Sequence, residues 1–170
     1  MKRPEKTEYD RYYETYVSLV PEADILSALE NQQFELLDIF KEITEEKGAY
    51  AYAEGKWTIK ELVGHLSDGE KIFGYRALRV ARADKTPMEG FEQDGYIENS
   101  NFNNIKLSDL IAELLYLRKA NVIFFQNLSD EAWKRTGTAS NAEISVRALA
   151  YIMVGHLRHH LNILKTRYLA

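Results

Sequence analysis

The stretch Leu149-Ala150-Tyr151-Ile152-Met153-Val154-Gly155-His156-Leu157-Arg158-His159-His160-Leu161-Asn162-Ile163-Leu164 decides the fold. Wound at about 100° per residue, it places Leu149, Ile152, Met153, His156, His160, Ile163 and Leu164 in one arc of roughly 120°. Arg158, Asn162 and Lys165 point away from that arc. The pattern is an amphipathic helix that starts near Ser145 and reaches almost to the C-terminus, with two histidines near the middle of its apolar face.

Working outward, the same periodicity recurs at length. A first helix over about Asp24–Glu46 follows Pro21, carries Ile25, Leu26, Leu29, Leu36, Leu37, Phe40 and Ile43, and stops at Gly48. A second opens on a capping box, Thr58 with Glu61, and runs through Ile59, Leu62, Val63, Leu66, Phe73 and Ala77 toward Asp84. A third begins near Ser108 and continues through Leu110, Leu114, Leu117, Val122 and Phe125, followed by a short turn at Ser129-Asp130-Glu131-Ala132-Trp133. Ahead of them all, Thr7 with Asp10 signals a short opening helix. Its Tyr9, Tyr12, Tyr13 and Tyr16 form one aromatic stripe, which either packs the segment onto the bundle or serves as a lid over a pocket or a dimer contact. Alternation of β-branched residues is almost absent. The polar connection from about Lys85 to Leu107 is long for a compact domain, where such a loop is functional or disordered. The expected architecture is an all-α four-helix bundle. It has a short N-terminal helix and one long crossover connection between helices two and three, and residues 1–170 form a single domain.

Bulk composition narrows the function. With 170 residues, 45% of them hydrophobic and 28% charged, the chain can bury a sizeable core. Its net charge of −4 is interspersed, with no basic stripe, so nucleic acid is not an expected partner. The absence of cysteine excludes disulfides, iron–sulfur clusters, thiolate zinc sites and a cysteine nucleophile. No apolar run backs the basic residues at the start and none approaches a membrane span, so a cytoplasmic location is expected.

All four histidines are in two places: His65 on helix two, and His156, His159 and His160 on helix four. The i, i+4 spacing of His156 and His160 brings two imidazoles onto adjacent turns, close enough to share one metal ion. His65, at the edge of the apolar face of helix two, can add a third nitrogen if those helices are neighbours. Hydrogen-bonded core histidines are the competing explanation. Against it, two imidazoles stacked on a core face need four partners, and no histidine is spent elsewhere. Three neutral imidazoles suit zinc, nickel, copper or iron rather than magnesium or calcium, and leave an open position where water or a thiol is activated. Asp68 and His159 are secondary candidates, Asp68 for orienting an imidazole or acid–base work and His159 for lining the pocket. There is no His-Glu-x-x-His, no Glu-x-x-His, no Gly-rich phosphate loop and no Gly-x-Ser-x-Gly elbow.

Trp57-Thr58-Ile59-Lys60-Glu61-Leu62-Val63-Gly64-His65, joined by Gly155-His156-Leu157-Arg158-His159-His160, resembles the DinB/YfiT-like family over nearly the whole chain. That resemblance implies a four-helix bundle with a long crossover, a homodimer, and a metal triad at His65, His156 and His160. It further implies a metal-dependent hydrolase, or a transferase that conjugates a low-molecular-weight thiol such as bacillithiol or mycothiol to a small electrophile. One divalent ion, zinc or nickel, is the expected cofactor. Gly90-Phe91-Glu92-Gln93-Asp94-Gly95-Tyr96 also looks similar and suggests Asp94 and Tyr96 as pocket residues, although Asp94-Gly95 reads equally as a turn. The alternative function is a non-catalytic metal-binding or structural homodimeric bundle.

Overall fold

The computed structural model describes residues 2–170. Along the chain it contains α1 (Glu14–Val17), α2 (Ile25–Phe40), α3 (Glu45–Gly48), α4 (Ile59–Ala81), α5 (Gln93–Glu98), α6 (Leu107–Gln126), α7 (Asp130–Lys134) and α8 (Val146–Ile163). A hairpin of β1 (Thr136–Ala139) and β2 (Ala142–Ser145) precedes α8. Most starts carry a side-chain cap. The oxygens of Asp24, Thr44, Thr58, Ser129 and Ser145 accept from backbone N–H groups of the first turns of α2, α3, α4, α7 and α8. The expected box at Thr58 is complete, with Glu61 accepting from the Thr58 N–H at 2.7 Å. α6 has no such cap of its own, and the Glu45 carboxylate accepts from its Leu107 N–H at 2.8 Å instead.

Polar contacts between elements set the topology. The start of α6 lies beside the start of α4, where Thr58 Oγ1 donates to Asn103 at 2.7 Å and Lys60 reaches the Asn103 carbonyl. Further along, Arg118 meets Glu70 and Asn121 meets the Glu70 carboxylate at 2.8 Å, so α4 and α6 run parallel. Parallel neighbours require the chain to travel back the length of the helix, which is what residues 82–106 do. The expected crossover is therefore present, and it is ordered by α5 and a 3-10 turn at Phe102–Asn104 rather than being a bare loop. α8 runs antiparallel to α4, with His65 opposite His156 and His160. It packs along α2, where Gln32 donates to the Val154 carbonyl at 2.9 Å.

Three sequence expectations are corrected. Helix one ends at Phe40 rather than Glu46: Thr44 turns its hydroxyl to the Lys47 N–H and opens α3, which brings Glu45 to Lys60 and to the head of α6. The opening segment is two 3-10 turns, Lys6–Glu8 and Arg11–Tyr13, leading into α1. The first turn is capped at Glu5, whose N–H donates to the Glu8 carboxylate, and the second at Asp10, which accepts from the Tyr12 N–H; Thr7 lies inside the first turn. A hairpin before α8 is not expected from the sequence, because each strand has only four residues and Gly137, Ala139 and Ala142 weaken the alternation of Thr136 and Thr138. Tertiary contacts hold it. Ser140 and Asn141 both take positive φ, 52° and 63°, as a two-residue hairpin turn of this twist requires, and Met88 pairs alongside Ala139.

Candidate metal centre

α4 and α8 bring three buried imidazoles together. His65, His156 and His160 are 2%, 6% and 7% exposed. Nε2 of His65 lies 3.0 Å from Nε2 of His156 and 3.1 Å from Nε2 of His160. One potential ligand atom from each residue falls within 4.8 Å of the others, the one such cluster of three or more His, Cys, Asp or Glu residues among the described residues.

Hydrogen bonding among the histidines does not account for this geometry. A neutral imidazole has one N–H and one lone pair, so Nε2 of His65 can satisfy only one of the two nitrogens it faces. A metal ion fits it. Held about 2.0–2.1 Å from each nitrogen at tetrahedral to octahedral angles, an ion spaces its ligands roughly 2.9–3.3 Å apart. Protonation also favours coordination. Burial pushes His65 down to about 4, with the His159 charge adding to the effect. Burial first, then neighbouring imidazoles, hold His156 and His160 well below the usual histidine range. All three imidazoles are therefore neutral at neutral pH, the form that binds a transition metal.

Close packing builds the cluster. A Cβ on Gly69 would sit 2.9 Å from Cε1 of His156, so glycine makes room for that ring on the facing helix. On Gly155 a Cβ would run into the Tyr16 carbonyl, so the absence of a side chain lets α1 lie directly on α8. That approach delivers the Tyr16 ring edge-on to His156, centroids 5.3 Å apart. Phe73 packs on the same imidazole at 5.5 Å and Trp57 on His65 at 4.8 Å.

Two clefts reach the cluster. The larger, about 900 Å³, is polar and touches His160 and His159, with Trp57, Asp94, Asn101 and Tyr168 among its walls. Tyr168 is carried there by a π-helical turn after α8, Leu164–Tyr168, and donates to the Trp57 carbonyl at 2.7 Å. The smaller, about 470 Å³, reaches His65 and His156 between Tyr12, Tyr13, Tyr16 and Phe73. Burial, then the Tyr12 hydroxyl, raises the Tyr16 phenol well above its ordinary value, so it stays protonated.

The other candidates are placed as follows. His159 is half-buried in the larger cleft, its ring 5.1 Å from His160, and burial lowers its pKa. Asp68 faces Lys71, 3.5 Å away, which in turn pairs with Glu113 of α6; it does not join the histidines. Asp94 lines the larger cleft. Tyr96 does not: it is half exposed in a separate pocket with Tyr75 and Phe91. Phe73, Gly69 and Gly155 carry no signal of the site in the sequence, whereas the tyrosine stripe that includes Tyr16 points to the smaller cleft.

Fold and site together define a class, the four-helix bundles with a buried face of three histidine nitrogens. The chain belongs to the DinB superfamily, whose family model matches residues 28–164. It is 25% identical over 142 residues to a protein of Oceanobacillus iheyensis named as a candidate metal-dependent hydrolase, covering 82% of this chain and 81% of that one. Among solved structures it is similar to YfiT from Bacillus subtilis, described as a probable metal-dependent hydrolase with an unusual four-helix bundle topology. The TM-score is 0.75 at 18% identity, over 96% of this chain and 89% of that one. No helix of the described residues is long and apolar enough to cross a membrane.

Proposed function

We propose that His65, His156 and His160 hold one divalent transition-metal ion, zinc or nickel, and that the chain is a metal-dependent hydrolase or thiol transferase acting on small molecules. The observation that carries this reading is the convergence of three buried, neutral imidazole nitrogens at a spacing that suits an ion and leaves their own hydrogen bonding unmet. When bound, such an ion lowers the pKa of a water or thiol at its open position and polarises a substrate oxygen. The chain's own residues do the rest. Tyr16, Phe73 and Trp57 shield the nitrogens from bulk water. His159, neutral and half-buried beside His160, is placed to take a proton from a nucleophile entering the larger cleft. Access from two sides supports a reaction of two partners over a closed structural ion.

A homodimer is part of the same proposal. The tyrosine stripe is used within the chain, whereas α2 and α6 leave Phe34, Leu37, Tyr116 and Ile123 more than half exposed. A cytoplasmic setting suits the cysteine-free sequence.

Metal content per chain, measured by inductively coupled plasma mass spectrometry on protein purified without chelator, tests the triad. The wild type should carry about one equivalent, lost in His65→Ala and in His156→Ala and kept in His159→Ala. Protein that takes up neither zinc nor nickel would end the proposal, and loss in His159→Ala would reassign the ligands on α8.

A further inference from the structure

Arg76 of α4 is 2% exposed, yet among the described residues no carboxylate oxygen lies within ion-pair distance of it. Burying a guanidinium without a counter-charge is costly, and the bundle's other deeply buried arginine, Arg118, is paired with Glu70. Arg76 has only neutral partners. It donates to the Glu89 carbonyl at 2.8 Å, to the Ser140 hydroxyl at 3.1 Å and to the Tyr13 hydroxyl at 3.3 Å. Its guanidinium also lies over the Phe91 ring, 5.9 Å from the centroid, and lines the separate pocket of Tyr75 and Phe91.

Tyr13 and Ser140 both line the smaller cleft, the one that ends at His65 and His156. Because each hydroxyl oxygen accepts from Arg76, its own proton is turned away from the guanidinium and is free to donate into the cleft. The cationic partner also strengthens both donors. Between these hydroxyls and the histidines the wall is aromatic: Phe73 lies 6.3 Å from Tyr13 and 5.5 Å from His156, with Tyr16 beside both. Asp10 and Glu92 also line the cleft, but both are exposed and each is engaged with backbone N–H groups as a helix cap.

We propose that Tyr13 and Ser140, backed from behind the cleft wall by Arg76, form a carboxylate-binding subsite, so that the smaller cleft takes an aromatic or similarly flat carboxylic acid whose far end reaches the histidines. Two hydroxyl donors backed by one guanidinium match the two oxygens and single charge of a carboxylate better than the double charge of a phosphate monoester. The assignment of the far end rests on the function proposed above, whereas the anion site does not.

Isothermal titration calorimetry of the full chain, zinc-loaded and after chelator treatment, with benzoate, benzamide and phenyl phosphate as probes, separates the two. Benzoate should bind both forms, about tenfold or more tighter than benzamide. The Tyr13→Phe/Ser140→Ala double variant keeps the charge and the packing and should abolish that preference. Arg76→Gln, checked for folding by circular dichroism, should do the same. Equal binding of benzoate and benzamide, or an unchanged preference in the double variant, would overturn the subsite. Tighter binding of phenyl phosphate would overturn the carboxylate assignment. Benzoate preference in protein that takes up no metal would leave the anion site standing and remove the metal reading alone.

Discussion

Arg118 and the three histidines are buried in the same bundle, and they are built in opposite ways. Around Arg118 each group has its complement. The guanidinium donates to the Glu70 carboxylate and to the Gln32 side-chain oxygen, Asn121 donates to the second Glu70 oxygen, and Gln32 passes on to the Val154 carbonyl. Contacts from α4, α6, α2 and α8 meet there, so the cluster fixes how the four helices sit. The histidines face only one another, nitrogen to nitrogen, and are ringed by aromatic carbon. Buried polar groups that satisfy each other hold a fold together. Those left incomplete wait for a further component, and Arg76 with its neutral partners belongs with the histidines in this respect.

The sharpest way to break this contrast is to remove one member from each cluster in metal-free protein. Arg118→Met strands the Glu70 charge and should cost about 3–5 kcal/mol in denaturant unfolding, part of it recovered by adding Glu70→Gln. His156→Leu, which refills the space of the ring, should cost far less, about 1 kcal/mol, because no satisfied bond is lost. Equal losses would make the histidines a structural network. An intermediate effect is expected at Gly155→Ala, where the new methyl meets the Tyr16 carbonyl and α1 must move. A loss of about 1–3 kcal/mol, read as a lower melting temperature, should come with weakened ligand binding in the tyrosine-walled cleft but an unchanged metal content.

The smallest effect concerns how the N-terminal segment is tied down. Glu22 bonds Arg158, which lowers its pKa below the usual glutamate value of 4.5. Glu8 is raised by burial but lowered more by Arg147 and Ser145, for a net downward shift. A carboxyl with a depressed folded pKa contributes stability above its unfolded value and loses it as pH falls through the folded one. Residues 5–22 should therefore gain hydrogen-exchange rate below about pH 4.5, before the bundle core does. Simultaneous loosening of α8 would show that these ion pairs do not act locally.

Much of this was legible in sequence. The stripe on α8 and the box at Thr58 are local, periodic signals, and both helices form where those signals lie. The spacing of His156 and His160 is equally local. His65 was legible only as a third histidine on an apolar face, and its meeting with the other two depends on α4 and α8 being antiparallel neighbours. The break after Phe40, the hairpin and the unpaired state of Arg76 left no such trace, since each is settled by groups distant in the chain: Glu45 with Leu107, Met88 with Ala139, and Tyr13 with Ser140.

By itself, then, the sequence determined the helices, the crossover and the residues able to ligate a metal, because helical periodicity and imidazole chemistry are carried within a few turns of chain. Only the tertiary structure decided that three nitrogens converge, that two clefts of different polarity reach them, and that a buried arginine lacks its counter-ion. Distances between groups such as His65 and His160, 95 residues apart, are set by packing, and packing acts on the folded chain as a whole.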